Sequence, residues 1–149
     1  MKYILLASII AFSATTNAED SSLESLSDCQ YSQKMLTEVS PYIDKATTLL
    51  TQNSDYRQVA QWRVSTFNPA FSDIKEKYNL PPSAYTTDQN RKISGVVYTE
   101  FVGRLGLFVQ EIYNHARNGG DKSKIKEQWA FMKQSVNKFA DTCTPDKGV

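Results

Sequence analysis

Val97, Phe101, Leu105, Phe108 and Ile112 step by four, four, three and four along the chain. That spacing lines one face of an α-helix with apolar side chains. Tyr98, Val102 and Val109 widen the face, which predicts a long, well-buried helix from about Asp88 to Arg117. Asn118-Gly119-Gly120 stops it, because glycine tolerates the left-handed backbone that closes helix C-termini. Ile125, Trp129, Met132, Val136 and Phe139 then alternate four and three without a miss. They predict a further helix from about Lys122 to Ala140 with a bundle-type seam.

Upstream the pattern is looser. Leu23, Leu26, Met35, Leu36 and Val39 predict a first helix, and Tyr42, Ile43, Ala46, Leu49 and Leu50 continue it beyond Pro41. Proline cannot donate a backbone hydrogen bond, so a kink is expected there. Asn53-Ser54-Asp55 supplies a turn and a helix cap. Tyr56, Val59, Ala60 and Phe67 open a second helix, interrupted at Asn68-Pro69 and carried by Phe71, Ile74 and Tyr78 to Leu80. Pro81-Pro82 ends it in a loop running to about Thr87.

No strand-like alternation of useful length and no internal repeat occurs. Four helices with short connections predict an all-α fold, an antiparallel up-down-up-down four-helix bundle with proline-kinked first and second helices. Cys29 and Cys143, the only cysteines, then fall at the same end of the bundle. One disulfide between them is expected to close the fold, and it fits an oxidising compartment. Closing a loop of that length is worth about 4–5 kcal/mol in the chain-entropy picture.

The compartment is suggested independently. Lys2, an apolar run from Tyr3 to Phe12, and a small polar stretch ending at Ala18 form the three parts of a secretory signal. The run is shorter than the roughly 20 apolar residues of a membrane span. Residues 1–18 are therefore expected to be cleaved, leaving residues 19–149 as one helical domain, periplasmic or secreted and without a membrane anchor. The mature chain lacks an Asn-x-Ser/Thr acceptor, which tilts the reading towards a bacterial periplasm.

Charge narrows the partners. Lys2 is the signal's single charge, so the mature chain carries 16 basic and 16 acidic residues. A nucleic-acid binder normally shows a basic excess, so none is expected here. Chemistry narrows the activities. His115 is the one histidine, which excludes two-histidine metal motifs; its bland reading is a surface pair with Glu111, four residues earlier. Glu100 and Arg104 are spaced for a similar pair. No phosphate loop, dinucleotide fingerprint or nucleophile elbow is present. Gly103 and Gly106 read as positions of close helix packing.

The layout resembles exported four-helix haem proteins of the cytochrome c-prime and cytochrome b562 type. Covalent haem attachment would need Cys-x-x-Cys-His, whereas helix four ends Asp141-Thr142-Cys143-Thr144-Pro145 and contains no histidine. Met35 and Met132 read as core fillers. No cofactor, metal or catalytic residue is expected.

Two surface features could bind a partner. Arg117, Lys122, Lys124 and Lys126 crowd the turn between helices three and four, while Glu19, Asp20, Glu24 and Asp28 mark the opposite end. Lysines at a helix start oppose its dipole, so they do not stabilise it. Val96, Gly103 and Leu107 fall in one sector on the back of helix three, at 100° per residue. The expectation is a non-catalytic interaction module, an accessory or assembly factor of an envelope machine such as a secretion system or pilus. An immunity protein against an envelope-targeting toxin and a small apolar-ligand carrier are the alternatives.

Overall fold

The computed structural model describes residues 23–79 and 92–144. The expected export segment, the Pro81-Pro82 loop and the expected start of helix three at Asp88 lie outside the described residues. Every described element is helical: after a 3-10 turn (Leu23–Ser25), α1 (Asp28–Thr51), α2 (Tyr56–Trp62), α3 (Asn68–Lys77), α4 (Ile93–Val96), α5 (Gly103–Asn118) and α6 (Ser123–Cys143). Two π turns, Arg63–Phe67 and Val97–Val102, join α2 to α3 and α4 to α5. The described residues therefore form four helical rods.

The first rod starts later than its apolar pattern suggested, and Ser27 is the reason. Its hydroxyl accepts from the Gln30 amide (3.3 Å) and the Gln30 side chain accepts from the Ser27 amide (3.0 Å). This capping box satisfies two otherwise orphaned N–H groups. Helix α1 then runs through Pro41 and buries Met35, Val39, Ile43, Ala46 and Leu49 on one face. Asn53 adopts a left-handed backbone (φ 48°), and Asp55 caps α2 by accepting from the Arg57 amide at 2.9 Å.

In the second rod the π turn lies immediately before Pro69. A proline ring inside a regular helix clashes with the carbonyl four residues back. The wider turn, closed by the Asn68 amide on the Arg63 carbonyl, spreads the backbone where that clash would fall.

The rods meet through named contacts. Tyr31 packs edge-on against Tyr78 (5.4 Å between centroids) and Tyr42 against Phe67 (6.1 Å). Phe71 stacks on Phe67 and presses on Gly106, where a Cβ would sit 3.0 Å from its ring. A side chain at this position would oblige the Phe71 ring to give way by a few tenths of an ångström. Phe108 and Trp129 join the third rod to α6 at 5.7 Å. Cys29 and Cys143 form the expected disulfide, with Cα atoms 5.6 Å apart. Val97, Phe101, Leu105, Phe108 and Ile112 are all buried, as are Met35 and Met132.

Beside the disulfide lies a contact with no counterpart in the periodicity. Asp28 reaches from α1 to the start of the third rod. It accepts the Ile93 amide at 2.7 Å and the Ser94 hydroxyl, with the Ser94 amide at 3.4 Å. Lys92, the residue before the rod, provides no cap of its own. Asp28 thus caps another helix and is not part of a free acidic end.

Candidate functional site

The α5–α6 turn is built by two glycines. Gly119 (φ 66°) and Gly120 (φ 110°) take up backbone that other residues rarely adopt, ending α5 and turning the chain into α6. Asp121 follows and accepts from the Ser123 amide at 3.0 Å, supplying one partner for the α6 first turn. Hydrogen bonds from the Ser123 side chain and then its amide hold the Asp121 carboxyl below the ordinary carboxylate range, and Lys126 adds to the effect.

Around this turn lies an open cleft of about 480 Å3, lined by Glu111, Asn114, Asn118, Asp121, Ser123 and Lys124, with His115 at its edge. A smaller cleft of about 180 Å3 lies on the other side of His115, against Leu49, Asn53 and Ser54 of the α1–α2 turn. The larger cleft is polar, which does not suit an apolar cargo.

His115 does not form the expected pair with Glu111. Its Nδ1 is buried without a hydrogen-bond partner, while Glu111 accepts from Asn114 at 3.4 Å. Asp121 is bonded to Ser123 and not to His115. Among the described residues no group of three His, Cys, Asp or Glu side chains is placed to hold a metal. No described helix is long and apolar enough to cross a membrane.

The sequence-derived surface residues divide between two places. Arg117, Lys124 and Lys126 are exposed at the turn and Lys122 is partly so. Among the described residues Arg117, Lys122 and Lys124 make no ion pair. The three residues proposed for the back of helix three do not share one face. Gly103 is exposed and Leu107 is 48 % exposed, but Val96 is only 9 % exposed and belongs to the core. The π turn at Val97–Val102 carries an extra residue, so everything before it is rotated by about 100° from the regular helical register.

Glu100 lies inside the same turn and does not pair with Arg104. Glu100 pairs instead with Lys138 of α6 (3.2 Å). Arg104 donates to Gln128 (3.2 Å) and lies over the Phe131 ring at 4.4 Å. Phe131, 38 % exposed, is a surface residue that periodicity alone did not single out. Arg63 is also partnered by an amide and a ring, donating to Gln110 (2.6 Å) and lying 4.9 Å from the Tyr113 ring centre.

At the opposite end, the Tyr78 ring is fully buried and its hydroxyl has no hydrogen-bond partner. Burial, and then the nearby Glu38 carboxylate, push the phenol far above its ordinary range. Compared with protein-family models, with curated proteins and with solved structures, the chain matches none.

Proposed function

We propose that this chain is an exported, non-catalytic interaction module, and that it docks an acidic envelope partner through the α5–α6 end. In this reading it serves as an accessory or assembly factor of an envelope machine. The four rods form an antiparallel up-down-up-down bundle, bent at its prolines. The contacts support that topology: Glu38 meets Lys77 while Tyr42 meets Phe67, and Arg63 meets Gln110 while Tyr98 meets Lys75. In each pair of rods one number rises as the other falls. The disulfide is compatible with an oxidising compartment.

One observation carries the functional reading. At the α5–α6 end Asp55 accepts from the Arg57 amide and Asp121 from the Ser123 amide, and Glu111 and Glu127 are further acids beside the turn. The cations Arg117, Lys122 and Lys124 are left without an ion pair among the described residues. Arg117, Lys122, Lys124 and Lys126 cluster at this turn, and such a cluster orients and speeds docking of an acidic surface.

The test is capture of envelope proteins on the immobilised mature protein, eluted with increasing salt. Binding should weaken as salt screens the contact, and the variant Lys122→Glu/Lys124→Glu/Lys126→Glu should lose the partner while keeping its helical spectrum. Capture that ignores both salt and charge reversal would overturn the reading.

A further inference from the structure

Gly103, Leu107 and Glu111 follow one another at intervals of four along α5, and Asn114 and Asn118 continue the line into the cleft at the turn. Positions at this spacing lie on one helix face. The stripe covers 16 residues of α5, roughly 22 Å at about 1.5 Å per residue. Its upper half is apolar and open. Leu107 is about half exposed, and a Gly103 Cβ would meet only the Tyr98 carbonyl oxygen of its own rod, at an ordinary 3.6 Å. Phe131 of α6 flanks it, covered on one side by Arg104, whose partners are an amide and a ring and not a carboxylate. Its lower half runs into Lys124 and the unpaired cations of the turn.

We infer that this stripe is the seat of a partner's acidic amphipathic helix, lying along α5 with its apolar side on Gly103, Leu107 and Phe131 and its acidic residues at Arg104 and the Lys122–Lys124 end. The inference rests on the interaction-module reading and adds the form and chemistry of the partner's element. A bare glycine beside half-exposed leucine and phenylalanine lets a helix approach closely and bury apolar surface. Aromatic and arginine side chains at the centre of a contact carry much of its energy. Charge complementarity sets the partner's chemistry, because cations stand above the apolar pair at Arg104 and below it at the turn. Glu111 is the one carboxylate on the stripe itself, and its side chain accepts from Asn114. The partner residue opposite it is therefore uncharged or basic.

Three synthetic helical peptides of about 16 residues test this. They share one Leu/Phe face and carry acidic, neutral or basic polar faces, and each is titrated into the 15N-labelled mature protein. The acidic peptide should bind saturably and shift the amides of Gly103, Leu107, Phe131 and Lys124. Leu107→Glu and Lys122→Glu/Lys124→Glu should each weaken it at least tenfold, while Val64→Glu, at an exposed site on the second rod, should not. The circular dichroism spectrum of each variant should match the wild type, since all these positions are exposed or partly exposed. Absence of saturable binding by the acidic peptide would overturn the inference, as would equal binding of the basic one, shifts centred elsewhere, or indifference to the stripe variants. Sedimentation showing a second copy on the stripe would overturn it too. Salt-sensitive capture of an envelope partner that survives Leu107→Glu would sink the helix seat and leave the basic-end docking standing.

Discussion

Removing the Asp28 carboxylate should destabilise the fold far more than its place in the first turn of a helix suggests. The side chain accepts from the Ile93 amide at 2.7 Å and from the Ser94 hydroxyl, and both residues are buried. Losing a capping oxygen costs about 1–2 kcal/mol, and each buried donor left unpaired costs about 1–3 kcal/mol. Water reaching the vacated space recovers part of that, so Asp28→Ala should cost about 3 kcal/mol. Asp28→Asn keeps an acceptor but loses the charge opposite a helix N-terminus, and should cost about 1–2 kcal/mol. For a domain of this size the alanine variant should melt roughly 10–15 °C lower. Urea melts followed by circular dichroism measure the difference directly, with Asp44→Ala at an exposed position of α1 as control. An Asp28→Ala protein within about 0.5 kcal/mol of wild type would refute the reasoning, because the cap would then contribute no more than an ordinary surface residue.

The disulfide closes a sequence separation of 114 residues. Cys143→Ser should lower stability by up to about 4–5 kcal/mol, and the denatured, unreduced wild type should titrate no free thiol. The two glycines of α5 should respond oppositely. Gly103→Ala should stabilise by about 0.5–1 kcal/mol, whereas Gly106→Val should cost about 1–3 kcal/mol by driving the Phe71 ring off its stack; denaturant melts compare them. Tyr78→Phe removes a buried hydroxyl that has no partner, so stability at neutral pH should change by less than about 1 kcal/mol. A phenol raised by burial contributes stability that is complete below the unfolded tyrosine pKa of about 10 and is lost as pH rises beyond it. The phenylalanine variant should therefore resist alkaline unfolding better than wild type, as followed by circular dichroism.

Regular periodicity carried the core of this protein because burial repeats where the helix repeats. Val97 to Ile112 and Ile125 to Phe139 were readable for that reason, and the cysteine pair followed once the helices were counted. The Asp28 cap was not readable. Its partners, Ile93 and Ser94, lie 65 and 66 residues away, and no local pattern encodes a contact that distant. One indirect signal existed: Lys92 cannot cap the rod that follows it, so a donor-satisfying group had to come from elsewhere.

At the π turn the surface departs from the helical wheel, and the reason bears on the candidate site. A helical wheel assumes 100° per residue throughout, and the π turn at Val97–Val102 breaks that assumption once. Residues after the turn keep a common phase, which is why Gly103 and Leu107 remain together on the outside. Residues before it are offset by about one position, which brings Val96 into the core. No proline marks this turn, unlike its counterpart before Pro69, so composition gave no warning. The displacement has a consequence for binding. With Glu100 drawn to Lys138, Arg104 is left over the Phe131 ring with an amide as its hydrogen-bond partner. In an unbroken helix, Glu100 and Arg104 would share a face and could neutralise each other. Arg104 thus stands as a cation beside the exposed apolar pair, and the acidic helix proposed as partner has something to meet at both ends of the stripe.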